Sequence, residues 1–287
     1  MIINEAGEYT LQYTATDACG NSTTVERDLV VEAPPRTVLY TDGTLIINEL
    51  PEDIDDNVAL HGVATNVYEP FDPNGDTDVK KYIFSSESLR PWYSEVNSVS
   101  AVEIGSNISP TSTQYWFMNM RQCVSMDLSK LDTSEVTDMS NMFYYCQRFA
   151  NPDFSNFDTS KVTNMNSMFY YCEAFTTLDL SNFDTHLVDN MRYMFYESSV
   201  TEVDLSSFDT SSVTDMESMF GWCNTLVTIY ASLLFDTTLV TSSMGMFTKC
   251  TSLVGGAGTA WSSSSTDKTR AKIDGGSGNP GYFTAKS

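Results

Sequence analysis

Between Asp127 and Cys250 one pattern of apolar and polar positions is written out five times. Each copy opens with alternation. Leu178 and Leu180 flank Asp179, and Val203 and Leu205 flank Asp204, which is the two-residue period of a short strand. Apolar residues then fall at i, i+3, i+4 and i+7, as Met139, Met142, Phe143 and Cys146 do. The set recurs as Met165, Met168, Phe169, Cys172 and as Met216, Met219, Phe220, Cys223. That spacing predicts one face of a short helix. The third copy puts Ser198 in the Cys place, and the fifth has Ser243 for the first Met with Met244 beside it. Between the two periods stands Phe-Asp-Thr at 157–159, 183–185, 208–210 and 235–237, with Leu131-Asp-Thr in the first copy. An Asp followed by Thr and Ser favours a turn capped by its own side chain.

The repeat length is read from the Phe of each copy. Phe143, Phe169, Phe195, Phe220 and Phe247 are spaced by 26, 26, 25 and 27 residues, and Phe117 extends the series backwards. A fixed period in this range marks stacked units, none of which can bury its own apolar face alone. Strand, turn, short helix and return in about 26 residues predict an α+β repeat solenoid of the leucine-rich-repeat type. Its parallel strands would lie about 4.8 Å apart, with short helical turns behind them.

The rest of the chain divides around this array. In residues 1–35, Tyr9, Leu11, Tyr13 and Ala15 alternate with Thr10, Gln12 and Thr14. Asp17-Ala-Cys-Gly-Asn supplies a turn, Val25 to Val31 a returning strand, and Ala33-Pro34-Pro35 a linker. Residues 36–116 have no clean period. Thr37 to Ile47 reads as two strands about Asp42-Gly43 and Val99 to Ile104 as another, so this region is expected to cap the first coil with Trp92 and Trp116. Residues 117–254 are the repeats. Residues 255–287 form a C-terminal cap and tail, in which Tyr282 and Phe283 fold back as a lid.

Leu-Asp-Leu-Ser-Asn-Phe-Asp-Thr from residue 178, and the Met-x-x-Met-Phe-Tyr-Tyr-Cys of the neighbouring copies, resemble the BspA-like leucine-rich repeats of bacterial surface proteins. The flanks resemble that family's end segments: Ile108-Ser-Pro-Thr-Ser-Thr-Gln-Tyr-Trp-Phe before the array, and Leu253-Val-Gly-Gly to Pro280-Gly-Tyr-Phe-Thr after it. The first 33 residues are similar to the last hairpin of bacterial Ig-like domains. This resemblance implies surface display and adhesion-type binding without enzyme activity, and it names no ligand.

Charge narrows the choice of partners. The chain of 287 residues carries 38 acidic and 15 basic side chains, a formal net charge of −23. Such a balance argues against nucleic-acid phosphates and anionic membrane surfaces, and the same charge keeps an exposed protein soluble. No apolar run approaches the roughly 20 residues of a membrane span. Met1-Ile-Ile-Asn-Glu has neither a basic nor an apolar leader region. The extracellular or cell-surface location that the resemblance implies is then expected of a fragment, of a chain whose start was placed downstream of the true one, or of a complete chain carried outside by another route such as a phage particle.

Chemistry for catalysis is sparse. His61 and His186 stand in unrelated segments, and neither G-x-S-x-G nor H-E-x-x-H occurs. No enzyme and no cofactor is expected. The six cysteines lack metal spacing, and the four that follow the repeat Phe read as small buried packers with free thiols. Asp72, Asn74, Asp76 and Asp78 resemble the start of a calcium loop. Its Gly comes early, however, and Ile83 stands where a closing Glu belongs, which favours an ordinary turn. The candidate binding residues are side chains stacked by the repeat. One row is Asp127, Asp153, Asp179 and Asp204, continued by Tyr230. The other is Tyr144, Tyr145, Tyr170, Tyr171, Tyr196 and Trp222. Like charges on adjacent strands need water, a cation or a basic partner. A further row at Asp132, Asp158, Asp184, Asp209 and Asp236 reads as turn capping. The expectation is a recognition domain that binds a host or neighbouring-cell protein or glycan. The alternatives are a structural spacer or virion-tail module, or an accessory domain of an enzyme.

Overall fold

This computed structural model describes residues 7–16, 22–31, 36–40, 42, 44–49, 64–68, 93–105, 107–150 and 152–286. Where the apolar spacing predicts a helix, the backbone instead turns left-handed twice in every coil. The pairs are Asn141 and Tyr145, Ser167 and Tyr171, Tyr193 and Glu197, Ser218 and Trp222, and Gly245 and Lys249, with φ between 52° and 71°. A non-glycine residue there costs roughly 1 kcal/mol and cannot continue a right-handed helix.

Hydrogen bonds account for that cost. Met139, Asn141, Phe143 and Tyr145 donate their N–H groups to the carbonyls of Asn164, Asn166, Met168 and Tyr170 in the next coil, at 3.0, 2.9, 3.0 and 2.8 Å. The N–H groups of Met142, Tyr144 and Cys146 close onto the residue three back, at 3.3, 3.3 and 3.0 Å. Ladder bonds and turn bonds thus alternate along one segment. The described residues contain no α-helix, only three-residue 3-10 turns at Tyr93–Glu95, Lys268–Arg270 and Gly276–Gly278. The expectation of an α+β leucine-rich-repeat solenoid with helical turns is overturned by this geometry. The i, i+3, i+4, i+7 spacing buries Met139, Met142, Phe143 and Cys146 together, because successive three-residue turns present the same positions inward as a helix would.

The strands form three sheets. β1 (Gly7–Thr16) and β2 (Ser22–Val31) make an antiparallel hairpin in which Tyr9 faces Leu29 and Tyr13 faces Val25. β3 (Arg36–Tyr40), β4 (Thr44–Glu49), β5 (Ala64–Tyr68), β6 (Ala101–Ile104) and β7 (Ser125–Asp127) make a mixed sheet in the order β5-β3-β4-β6-β7. Asp42 accepts from the N–H of Thr44 at 2.8 Å in the turn between β3 and β4. The third sheet comprises β8 (Thr177–Leu178), β9 (Glu202–Leu205), β10 (Thr228–Ala231) and β11 (Phe283–Ala285), all parallel, with Leu178 opposite Val203.

Among the described residues no strand joins β7 to β8, and Pro152 explains why. It occupies the place held by Met126 and Leu178 in the neighbouring copies and has no N–H to give the ladder. A second column of single parallel bridges runs unbroken through Ser112, Asp138, Asn164, Asn190, Asp215 and Ser242.

Inside, the repeat Phe rings form one continuous stack. Successive centroids from Phe117 through Phe143, Phe169, Phe195 and Phe220 to Phe247 lie 5.5, 5.9, 5.7, 5.4 and 5.7 Å apart. Phe247 is met edge-on by Tyr282 at 5.2 Å and Phe283 at 6.1 Å. The Phe247 N–H reaches Thr266 and its carbonyl accepts from Trp261 Nε1 at 2.7 Å. Asp274 orders this closing segment by accepting from the N–H groups of Ala257, Thr259, Gly276 and Gly281 and from the Thr259 hydroxyl. At the other side of the array Trp116 is fully buried. Trp92 lies outside the described residues.

Candidate functional site

Both acidic rows are bound to their own turns. Oδ1 of Asp127, Asp153, Asp179 and Asp204 accepts the N–H of the serine two residues on, at 3.0 Å in each coil. Oδ1 of Asp132, Asp158, Asp184, Asp209 and Asp236 accepts the N–H of Ser134, Ser160, His186, Ser211 and Thr238 one corner later, at 2.8–3.2 Å. Hydrogen bonds from the serine two residues on hold Asp127, Asp153 and Asp179 below the usual carboxylate range. Asp127, Asp204 and Tyr230 of the first row lie in strands; Asp179 directly follows β8, and Asp153 lies outside the described strands. Burial works against ionisation of Asp204, yet Lys286 and Ser206 together keep it lowered. Lys286 pairs with that carboxylate and lies 5.6 Å from the ring centroid of Tyr230. The chain therefore supplies its own counter-ion at that part of the row.

Threonine and cysteine columns hold the coils together from inside. The buried hydroxyls of Thr133, Thr159, Thr185 and Thr210 donate to the carbonyls of Asp158, Asp184, Asp209 and Asp236 in the next coil, at 2.9, 2.8, 2.9 and 2.7 Å. The thiols of Cys146, Cys172, Cys223 and Cys250 donate to Phe117, Phe143, Phe195 and Phe220, at 3.2, 3.2, 2.9 and 2.9 Å. Cys123, Cys146, Cys172, Cys223 and Cys250 are free and buried. Burial pushes the thiols of Cys123 and Cys223 up to about 12. They pack, as the sequence predicts, and they also bond, a role legible only in the Ser that replaces one of them.

The aromatic candidates resolve into two stacks. Tyr144, Tyr170 and Tyr196 lie ring on ring at 4.5 and 4.9 Å, with interplanar angles of 15° and 14°. The next residue in this row is Gly221, where a Cβ would come within 2.9 Å of the Tyr196 ring. Tyr145 and Tyr171 form the second stack at 4.6 Å, and Trp222 belongs to this outer row. The tyrosines are half-buried, and Trp222 is 42% exposed. Burial, then the Tyr144 and Tyr196 rings beside it, raise the Tyr170 phenol; for Tyr171 the larger cause is the charge of Glu173. Phenols held neutral keep their hydroxyls as donors and their rings as contact surface.

The structure thus keeps the acidic and aromatic candidates in separate rows along the coils. Sequence reasoning missed Glu197, which sits within the outer aromatic row, and Arg121, whose guanidinium lies 4.7 Å from the Tyr145 ring centroid. No group of three or more metal-ligating side chains occurs among the described residues. Asp72, Asn74, Asp76 and Asp78 lie outside them, as does His61. No described helix is long and apolar enough to cross a membrane.

Residues 111–231 and 202–277 match the family model described as "Mycoplasma protein of unknown function, DUF285", and together these segments span more than half of the chain. The chain belongs to this family. No curated protein and no solved structure matches it. The DUF285 match begins at Thr111 and runs through all five repeat phenylalanines. It therefore covers both tyrosine stacks and both acidic rows.

Proposed function

We propose that this DUF285 protein is a non-catalytic recognition domain displayed outside the cell, of the kind found in BspA-like surface proteins. It takes a host or neighbouring-cell protein or glycan on its aromatic ridge. The observation that carries the reading is the pair of half-exposed tyrosine stacks, repeated coil after coil and prolonged by Trp222. Amphipathic rings fixed in place offer large contact area at low entropic cost. The acidic rows are engaged in capping their own turns, so their part is steering a partner rather than gripping it.

Screening the folded chain on glycan and host-protein arrays identifies a ligand, and surface plasmon resonance then separates the two rows. The Tyr144→Ala/Tyr170→Ala/Tyr196→Ala variant should dissociate faster. The Asp153→Asn/Asp179→Asn/Asp204→Asn variant should associate more slowly and with weaker salt dependence. If both variants remain folded and bind as the parent does, the ridge is not the site and a spacer or virion-tail role takes its place.

A further inference from the structure

The outer aromatic row is interrupted once. At the left-handed position two residues after the repeat Phe, successive coils carry Tyr145, Tyr171, Glu197, Trp222 and Lys249. Tyr145 and Tyr171 stack at 4.6 Å, so one ring fills one coil rise. Glu197 puts no ring in its place, and a groove of about 400 Å³ opens there, lined by Tyr171, Glu173, Glu197, Trp222 and Asn224 among others. Two coil rises, about 9.6 Å, separate the flanking positions. One planar group between two rings at van der Waals distance needs about 7–8 Å.

The same row displays what its rings accept. The Arg121 guanidinium lies 4.7 Å from the Tyr145 centroid, and the Lys249 ammonium lies 5.8 Å from the Trp222 centroid. Cations already cover the row on both sides of the gap. Glu173 and Glu197 take part in no ion pair among the described residues. Burial, then the charge of Glu173, push the Glu197 carboxyl above its usual range, as befits neighbouring acids with no counter-ion.

We propose that this interruption is a slot for an arginine side chain of a partner protein, its guanidinium seated between Tyr171 and Trp222 with Glu197 and Glu173 as acceptors. The inference rests on the recognition reading of the ridge and names the partner chemistry at one point of it. Guanidinium is planar, weakly hydrated and stacks on aromatic faces while its fork of donors reaches carboxylates; an ammonium is compact and strongly hydrated. A sugar ring would use the aromatic walls but would leave two carboxylates without a cation.

The test uses fluorescence anisotropy with the full chain and a fluorescein-labelled peptide of alternating arginine and glycine. Lysine-glycine and citrulline-glycine peptides of the same length serve as comparators. Arginine should bind most tightly and citrulline least. Glu197→Gln should weaken the arginine peptide about tenfold. Glu197→Tyr should abolish its binding by completing the ring row, and Tyr145 and Tyr171 show that tyrosine is at home in this backbone conformation. Asp189→Asn, which removes one exposed charge outside the groove, should leave binding unchanged. Thermal melts establish that each variant is folded. The slot is overturned if the arginine peptide does not bind, if lysine binds equally well, if Asp189→Asn weakens binding as much as Glu197→Gln, or if Glu197→Tyr binds like the parent. A glycan held by the parent and Glu197→Tyr alike, and lost from the triple tyrosine variant, would overturn the arginine slot while leaving the ridge reading in place.

Discussion

The hydroxyl of Ser198 donates to the carbonyl oxygen of Phe169, one coil earlier, in the place where Cys172, Cys223 and Cys250 donate their thiols. The column therefore selects for a small side chain with a donor. Ser198→Cys should change stability by less than about 1 kcal/mol. Ser198→Ala should cost about 1–3 kcal/mol, because a buried bond is lost while the site stays filled. Urea unfolding of both variants checks this, and equal losses would show that volume alone matters.

A ring removed from the stack should be felt locally. Phe195 touches Phe169 and Phe220 at 5.7 and 5.4 Å and is fully buried. Phe195→Ala should cost about 3–5 kcal/mol. In a stack where coils contact chiefly their neighbours, it should also broaden the melting transition or split it in two. Calorimetry distinguishes these outcomes from a single, equally sharp transition at lower temperature.

How much of this was legible beforehand depends on which backbone feature a residue reports. The period, the inward Phe and Met positions and the strand pair Leu178 and Val203 follow from apolar spacing alone. The helix did not materialise because i, i+3, i+4, i+7 spacing describes which side chains point inward, and a chain of three-residue turns satisfies it equally. A signal was present: Asn141 and Gly245, the residue types most at ease with positive φ, occupy the same position in two copies. Tyrosine, serine and glutamate at these left-handed positions hid it, since their strain is offset by bonds to the next coil that no local pattern reveals. The slot at Glu197 was equally hidden. It exists through what stands one coil before and one coil after, 26 and 25 residues away.

Thiol chemistry gives a third measurement. With Cys19 replaced by Ser, the native chain should resist iodoacetamide at neutral pH while the unfolded chain labels at all five remaining cysteines. Burial both hides those thiols and raises the pKa of Cys123 and Cys223. Rapid native labelling would mean that the coils open far more readily than their bonding implies.

Acid should loosen the turns. Hydrogen bonds from the serine or threonine two residues on lower the carboxyls of Asp158, Asp179, Asp209 and Asp236 from an ordinary 3.8. A depressed folded-state value contributes stability that is present above the unfolded value and lost as pH falls through the folded one. In salt high enough to screen general repulsion, the melting temperature should hold between about pH 7 and pH 5 and decline below about pH 4. The exposure of these groups keeps each contribution small. Asp158→Asn/Asp179→Asn/Asp209→Asn should retain the caps, as Asn164 and Asn190 do, and flatten the decline. An unchanged slope in that variant would assign acid sensitivity elsewhere.

The alternation of bonds between Met139 and Cys146 has a consequence for how such chains change length. Each N–H in that segment is satisfied inside its own coil or by the adjacent one. Duplicating or losing one whole unit of about 26 residues would thus leave every remaining junction with its partners, while lengthening or shortening the displayed ridge by about 4.8 Å. Distance along the ridge is counted in whole units, so two contact points on it can drift apart or together in steps without either being rebuilt.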